Sequence, residues 1–159
     1  MVDILIANLS DAEALIELQC LAYQSEAKLY NDWSLPALTQ TVESLRQEFA
    51  NSTILKALIE GQIVGSIRAT AENKVCKIGR LIVHPDFQKR GIGSTLLAHL
   101  ESLYADAAYF ELFTGSKSVS NIRLYERHGY RITETKPLSD KVSLTFLVKK
   151  PKEGMLTNP

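Results

Sequence analysis

The residues best suited to chemistry run Gln88-Lys89-Arg90-Gly91-Ile92-Gly93-Ser94, behind the apolar Leu81-Ile82-Val83 and a His84-Pro85-Asp86 break. Pro85 has no amide hydrogen to give a ladder, so a strand stops there and a helix opens from Gly91. Amides in the first turn of a helix lack internal partners and have the helix dipole behind them, which favours an anion. Gly91 and Gly93 have no side chain to hold a phosphate away from that backbone. Lys89 and Arg90 add charge, and Gln88 and Ser94 add neutral hydrogen bonds. A pyrophosphate suits this turn, although the same glycines would also serve a tight strand-to-helix turn alone.

Other glycine motifs fail on the residues. A Walker loop needs Gly-Lys-Ser/Thr after its spacers, which is missing here, and a dinucleotide fingerprint needs a third glycine where Leu96 stands. That fingerprint also follows an early parallel strand, whereas the strands before this loop read as a meander.

The elements that must position the loop are legible from periodicity. Ile4-Leu5-Ile6 reads as a first strand, and Ser10 with Glu13 as a capping pair for a helix bearing Leu15, Leu18 and Ala22 and fading near Lys28. A polar and aromatic loop around Tyr30 to Ser34 leads to a second helix from Pro36, with Leu38, Val42, Leu45 and Phe49 on its apolar face. Ile54 to Ile59 and Ile63 to Thr70 form a hairpin about Glu60-Gly61-Gln62, and Glu72-Asn73-Lys74 turns into a strand from Val75 to Val83. The helix after Gly91 carries Leu96, Leu97, Leu100 and Leu103 inward, and Tyr109 to Phe113 is the next strand, parallel to the one before the loop. A short helix from Ser118 to Arg127 ends at Gly129; Tyr130 to Glu134 and an alternating Val142, Leu144, Phe146, Val148 close the sheet. The fold class expected is α/β, a mixed sheet of about seven strands flanked by about four helices. Residues 1–150 form one domain, and residues 151–159, without periodicity, a frayed tail.

The segment Gln88-Lys89-Arg90-Gly91-Ile92-Gly93 resembles the Arg/Gln-x-x-Gly-x-Gly/Ala signature of the GNAT superfamily of N-acetyltransferases. Asn121-Ile122-Arg123-Leu124-Tyr125-Glu126-Arg127-His128-Gly129-Tyr130 is similar to that family's late helix, and the element order matches its fold from Met1 to Lys150. The resemblance implies acetyl-CoA as co-substrate. Its pyrophosphate would lie on the loop Gln88, Lys89, Arg90, Gly91, Ile92, Gly93 and Ser94, and its pantetheine arm along Leu81, Ile82 and Val83. It further implies that the Val83 amide faces the thioester oxygen and that Tyr125 returns a proton to the leaving thiolate. Seven residues before that tyrosine, where the family often has Asn, stands Ser118; Asn121 is the other candidate for the cofactor contact, and the choice between them stays open.

An amine acceptor, a small molecule or a peptide, must lose a proton before it attacks. Glu72 enters the candidate catalytic set as base, with Glu111 and Glu26 as alternatives, and Arg80 is placed to meet an acidic group on the substrate. The Tyr23 to Trp33 segment falls on the connection that shapes the acceptor pocket in the family. A non-catalytic module that binds or senses acetyl-CoA is the alternative function, and a nucleotide-binding domain of another kind the third.

Composition limits the partners. In 159 residues, 18 Lys plus Arg balance 18 Asp plus Glu, which argues against a broad basic face for nucleic acid. Cys20 and Cys76 lie far apart, with no ligand spacing for a metal. The first residues carry no basic leader, and no run approaches the ~18 apolar residues of a membrane span. The expectations are therefore a cytoplasmic protein with no metal and no membrane partner, and a possible homodimer.

Overall fold

A computed structural model describes residues 1–151. Seven strands form one sheet in the order β1-β2-β3-β4-β5-β7-β6. They are β1 (Asp3–Ile6), β2 (Thr53–Ile59), β3 (Gln62–Glu72), β4 (Val75–Val83), β5 (Tyr109–Gly115), β6 (Arg131–Pro137) and β7 (Ser143–Lys149). Among the described residues only β4 and β5 pair in parallel; the other neighbours are antiparallel. The tail expected from residue 151 falls almost wholly outside the described residues.

Both meander turns are built from residues with positive φ, Glu60 (49°) with Gly61 (80°) and Asn73 (52°) with Lys74 (64°). Two successive residues of this kind match the right-handed twist of the strands they join.

Among the described residues six helices flank the sheet: α1 (Ala12–Ala22), α2 (Gln24–Tyr30), α3 (Pro36–Thr39), α4 (Val42–Glu48), α5 (Ile92–Leu103) and α6 (Val119–Arg127). Each of the two helices expected before the hairpin is thus broken in two. The first breaks at Tyr23, whose φ and ψ of −85° and 1° turn the chain into α2. The second breaks at Gln40, which is extended, and Thr41 recaps α4 by accepting the Ser44 amide at 3.0 Å. The expected Ser10–Glu13 cap is also displaced: Asn8 accepts the Ser10 amide, and the Asp11 carboxylate accepts that of Asn8, around a 3-10 turn at Leu9–Asp11.

The larger core lies between α5 and the middle strands, where Leu96, Leu97 and Leu100 are fully buried against Leu55, Ile67 and Phe110. Each such leucine contributes about 1.5–3 kcal/mol. Leu103, expected inward, is exposed, and Glu101 takes the inward place. Its carboxylate accepts from Lys149 Nζ at 2.8 Å and from the Tyr130 hydroxyl at 2.7 Å. In β7 the fully buried side is that of Thr145 and Leu147; Leu144 and Phe146 are only half-buried, and Phe146 packs on Phe113 with ring centroids 5.4 Å apart. Of the alternation read from sequence, Val142 just before β7 is buried, whereas Leu144, Phe146 and Val148 lie on the less covered face. On the opposite side of the sheet from α5, α1 and α4 enclose a smaller core of Leu15, Leu45 and Ile54.

Candidate active site

The site starts where the sheet comes apart. β4 and β5 stay paired only from Val75 with Tyr109 to Lys77 with Glu111, so the rest of each strand diverges and leaves a V between them. On the other edge of β4 the ladder with β3 continues to Gly65 and Val83, but Ser66 opposes Ile82 while Arg68 opposes Gly79. Arg80 and Leu81 therefore stand against the single residue Ile67, which is a β-bulge, and Arg80 occupies it with φ of +51°. The bulge reverses the phase of the strand. Before it, Cys76 and Ile78 point into the α5 core; after it, Leu81 and Val83 do. The His84 amide bonds Val64 on β3, so strand alternation turns the Val83 peptide toward the open V. The Val83 carbonyl there accepts a long 3.5 Å contact from Gln88 Nε2.

The loop at the end of β4 is held by its own residues. His84 Nδ1 accepts the Asp86 amide at 3.0 Å, Pro85–Phe87 forms a 3-10 turn, and Arg90 lies over the Phe87 ring. Lys89 (φ 64°) and Gly91 (φ 80°) are both left-handed, and no side chain caps α5, whose first amides are left for another partner. A β-carbon built at Gly91 meets nothing within 4 Å. One built at Gly93 would stand 3.5 Å from Leu124, 3.9 Å from Val83 and 4.0 Å from Leu81, so this glycine marks the meeting of α5, β4 and α6.

Beside Leu124, Tyr125 is buried (6% exposed), with its ring edge-on to Tyr130. Tyr130 is tied to Glu101, whereas no such tie holds the Tyr125 hydroxyl among the described residues. Burial, with smaller contributions from Tyr23 and Glu26, holds the Tyr125 phenol well above the ordinary tyrosine range. It stays protonated at neutral pH.

Glu26 comes to this cleft from α2. Its carboxylate accepts from the Ser118 hydroxyl at 2.7 Å and from Asn121 Nδ2 at 3.3 Å. Ser118 has one proton and spends it on Glu26, so the Tyr30 hydroxyl, 2.9 Å from Ser118 Oγ, must be the donor in that pair. Tyr30 in turn accepts the Lys117 amide at 2.8 Å. The result is an ordered relay, Lys117 N–H to Tyr30 to Ser118 to Glu26, joining the start of α6 to α2.

Residues 13–130 match the Acetyltransferase (GNAT) family, about three quarters of the chain. The chain belongs to the GNAT acetyltransferase family. Its fold is that of solved members: PaiA N-acetyltransferase from Thermoplasma acidophilum in complex with coenzyme A (TM-score 0.79, 18% identity, 94% of this chain and 99% of that one). Ribosomal-protein-S18-alanine N-acetyltransferase from Escherichia coli is nearly as similar (TM-score 0.78, 16% identity, 94% of each chain). Among curated sequences, UPF0157 protein YqkA of Bacillus subtilis (strain 168) is 27% identical over 124 residues, 78% of this chain. The chain spans only 36% of the length of that relative.

Of the residues expected at a GNAT site, the fold brings together Leu81 to Val83, the loop from Gln88 to Ser94, Asn121 and Tyr125. Both donors of the Asn121 amide are already spent, on Glu26 and on Thr114 at 3.3 Å, so its carbonyl oxygen alone is left for a ligand. Ser118 is likewise committed to Glu26. Glu72 is not at the site. It ends β3 at the closed end of the sheet, opposite Val75, where it is exposed and 3.5 Å from Lys77. The length of β4, roughly 25 Å, separates it from Val83. Glu111 is also at the closed end, paired in register with Lys77. Glu26 is the carboxylate that the fold carries to Tyr125, because the break at Tyr23 turns α2 toward α6. Trp33, in the segment read as pocket wall or core, is 52% exposed.

Among the described residues no cluster of His, Cys, Asp and Glu is built to hold a metal, and no helix is long and apolar enough to cross a membrane. Cys20 and Cys76 are unpaired thiols, and burial pushes that of Cys76 up to about 12.

Proposed function

We propose that this chain is an N-acetyltransferase that moves the acetyl group of acetyl-CoA to a primary amine of a small molecule or peptide by direct attack. The observation that carries this reading is the V between β4 and β5, which ends at the uncapped start of α5 and has Tyr125 in its wall. The residues fit the donor: free helix amides and exposed Lys89 and Arg90 suit a pyrophosphate, and the open edge of β4 suits an arm with amide groups. When bound, acetyl-CoA supplies an activated acyl group on sulfur.

The protein's own part is orientation and proton management. The Val83 amide is aimed at the acyl oxygen and opposes the negative charge that grows there. Glu26 draws the ammonium form of the acceptor to the cleft and takes up its first proton, directly or through water. The amine nitrogen then bonds to the acyl carbon as the carbon–sulfur bond breaks with its electron pair on sulfur. Tyr125 gives that sulfur a proton and regains one from the nitrogen by way of solvent, and Glu26 sheds to solvent the proton it took from the ammonium, so each turnover yields one amide, one free thiol and one proton.

The test is an amine panel read by thiol release, run in parallel with Tyr125→Phe. The expected result is a kcat lower by about 10²-fold with coenzyme A affinity unchanged. Because burial raises the Tyr125 pKa, its contribution should not fade on the alkaline side up to about pH 10. Equal turnover by the two proteins at every pH removes Tyr125 from the mechanism, and binding without turnover of any amine would leave a coenzyme A binding module.

A further inference from the structure

We propose that the acceptor is a zwitterion, an amine with a carboxylate close by, and that Arg80 and Tyr23 bind the carboxylate. This rests on reading the V-shaped cleft as the acyl-transfer site, and it deepens that reading by naming a substrate class.

Two arginines stand on neighbouring strands of this region, and they are used differently. Arg68 on β3 is fully engaged: Nη1 donates to Glu48 at 2.8 Å, Nη2 to Gln19 at 2.5 Å, and Gln40 lies 3.5 Å from both. Gln19 is itself buried and anchored to the Ala37 carbonyl, so this is a finished network between the sheet, α1 and α4. Arg80 is near enough for its charge to disfavour the ionised form of Arg68, yet it takes no part in that network. Its Nε is sealed from water and has no hydrogen-bond partner among the described residues. A buried donor in that state costs about 1–3 kcal/mol. Among the described residues no carboxylate bonds this Nε: Glu48 accepts from Arg68, and Glu26 accepts from Ser118 and Asn121.

The place of Arg80 names the ligand. It sits in the bulge directly before Leu81 to Val83, beside the Tyr23 hydroxyl, whose ionisation burial opposes. Tyr23 and Glu26 are also the groups whose fields reach Tyr125. A guanidinium with an unpartnered Nε, the phenol of Tyr23 beside it and the Glu26 carboxylate are thus grouped around the proton donor of the proposed reaction. Arg80 and Tyr23 would hold an anionic group while Glu26 holds a cationic one. A single guanidinium with one open donor, near the Glu26 charge, suits a monoanionic carboxylate better than a phosphate dianion. The pyrophosphate has its own place at the α5 terminus, and Leu81 and Val83 face the α5 side, whereas Arg80 lies by Tyr23 at the α1–α2 junction.

The experiment offers the full-length protein α-amino acids, each paired with its primary amide and its decarboxylated amine, at saturating acetyl-CoA. The same compounds are titrated calorimetrically into the protein loaded with coenzyme A. Acids should exceed their amides in kcat/KM by about 10- to 100-fold, and Arg80→Met should erase that ratio while changing the amides by less than about threefold. Arg80→Lys keeps the charge but not the fork, should restore part of the ratio, and serves if the Met variant does not fold. Acids that bind through Arg80 without being acetylated would uphold the carboxylate site and defeat the transferase reading. Amines turned over with no preference for the acid, or an Arg80→Met loss equal for acid and amide, would overturn the proposal while leaving the transferase intact. Absence of both binding and turnover across the acids also overturns it.

Discussion

Gly115, the last residue of β5, sets two ordinary effects against each other. Its φ is not in the left-handed region, so Ala there relieves the entropic cost of a strand glycine and on that ground alone adds about 0.5–1 kcal/mol. The β-carbon, however, would stand 2.0 Å from the Tyr30 hydroxyl, 2.4 Å from Cζ and 2.9 Å from Cε2. Tyr30 is 5% exposed and fixed by the Lys117 amide and Ser118, so its ring must leave or β5 must shift. Losing two hydrogen bonds costs about 2 kcal/mol and forcing a packed side chain a further 1–3 kcal/mol. Overlap therefore wins, and Gly115→Ala should be less stable by about 2–4 kcal/mol. In a chain of this size that lowers Tm by roughly 5–15 °C. Urea unfolding of Gly115→Ala, Tyr30→Ala and the double variant tests the cause: the three atoms nearest the new methyl all belong to that ring, so the double should be no worse than Tyr30→Ala alone. Freeing Ser118 should also loosen Glu26, so kcat/KM for the amine should fall in Gly115→Ala while coenzyme A affinity holds. Additive losses in the double variant, or a Tm for Gly115→Ala at or above the parent, would refute the reasoning.

Two further sets of substitutions probe the donor loop and the far side of the core. Gly91→Asn and Gly91→Glu meet the same left-handed backbone and the same open space; Glu should cost about 1–2 kcal/mol of stability and Asn, which tolerates that conformation, less. Only Glu adds a like charge where a pyrophosphate is expected, and it should weaken coenzyme A binding by more than about tenfold, with Asn nearly neutral; equal affinities by calorimetry would show the diphosphate lies elsewhere. Lys149→Met should destabilise by about 3–5 kcal/mol because it leaves the buried Glu101 carboxylate with Tyr130 alone. Adding Glu101→Gln, which keeps an acceptor for Tyr130 without the charge, should recover most of that loss in urea unfolding; no recovery would mean that packing, not charge, sets the cost.

What the sequence determined by itself is what short-range physics encodes. A turn before Val75, a proline stop and a glycine pair yield β4, the loop and α5 almost to the residue, since turns, helix periods and the anion-friendly helix start depend on near neighbours alone. The helix that holds Tyr125 and the glycine after it are legible in the same way, whereas the role expected of Tyr125 comes only from the resemblance to the family. The tertiary structure decided the rest. Nothing in Ala22-Tyr23-Gln24 breaks a helix by propensity, yet the break there swings Glu26 onto Ser118, 92 residues away. Glu72 and Glu26 are equally good carboxylates on paper, and only the sheet, by placing one at its closed end and the other at its open one, tells them apart. Gly79 in the middle of β4 is the one local sign of the bulge, because glycine inside a strand marks such irregularities. That Arg80 emerges from it with a buried and unanswered donor depends on which neighbours Arg68 has already claimed, a fact of packing across four elements that no single segment contains.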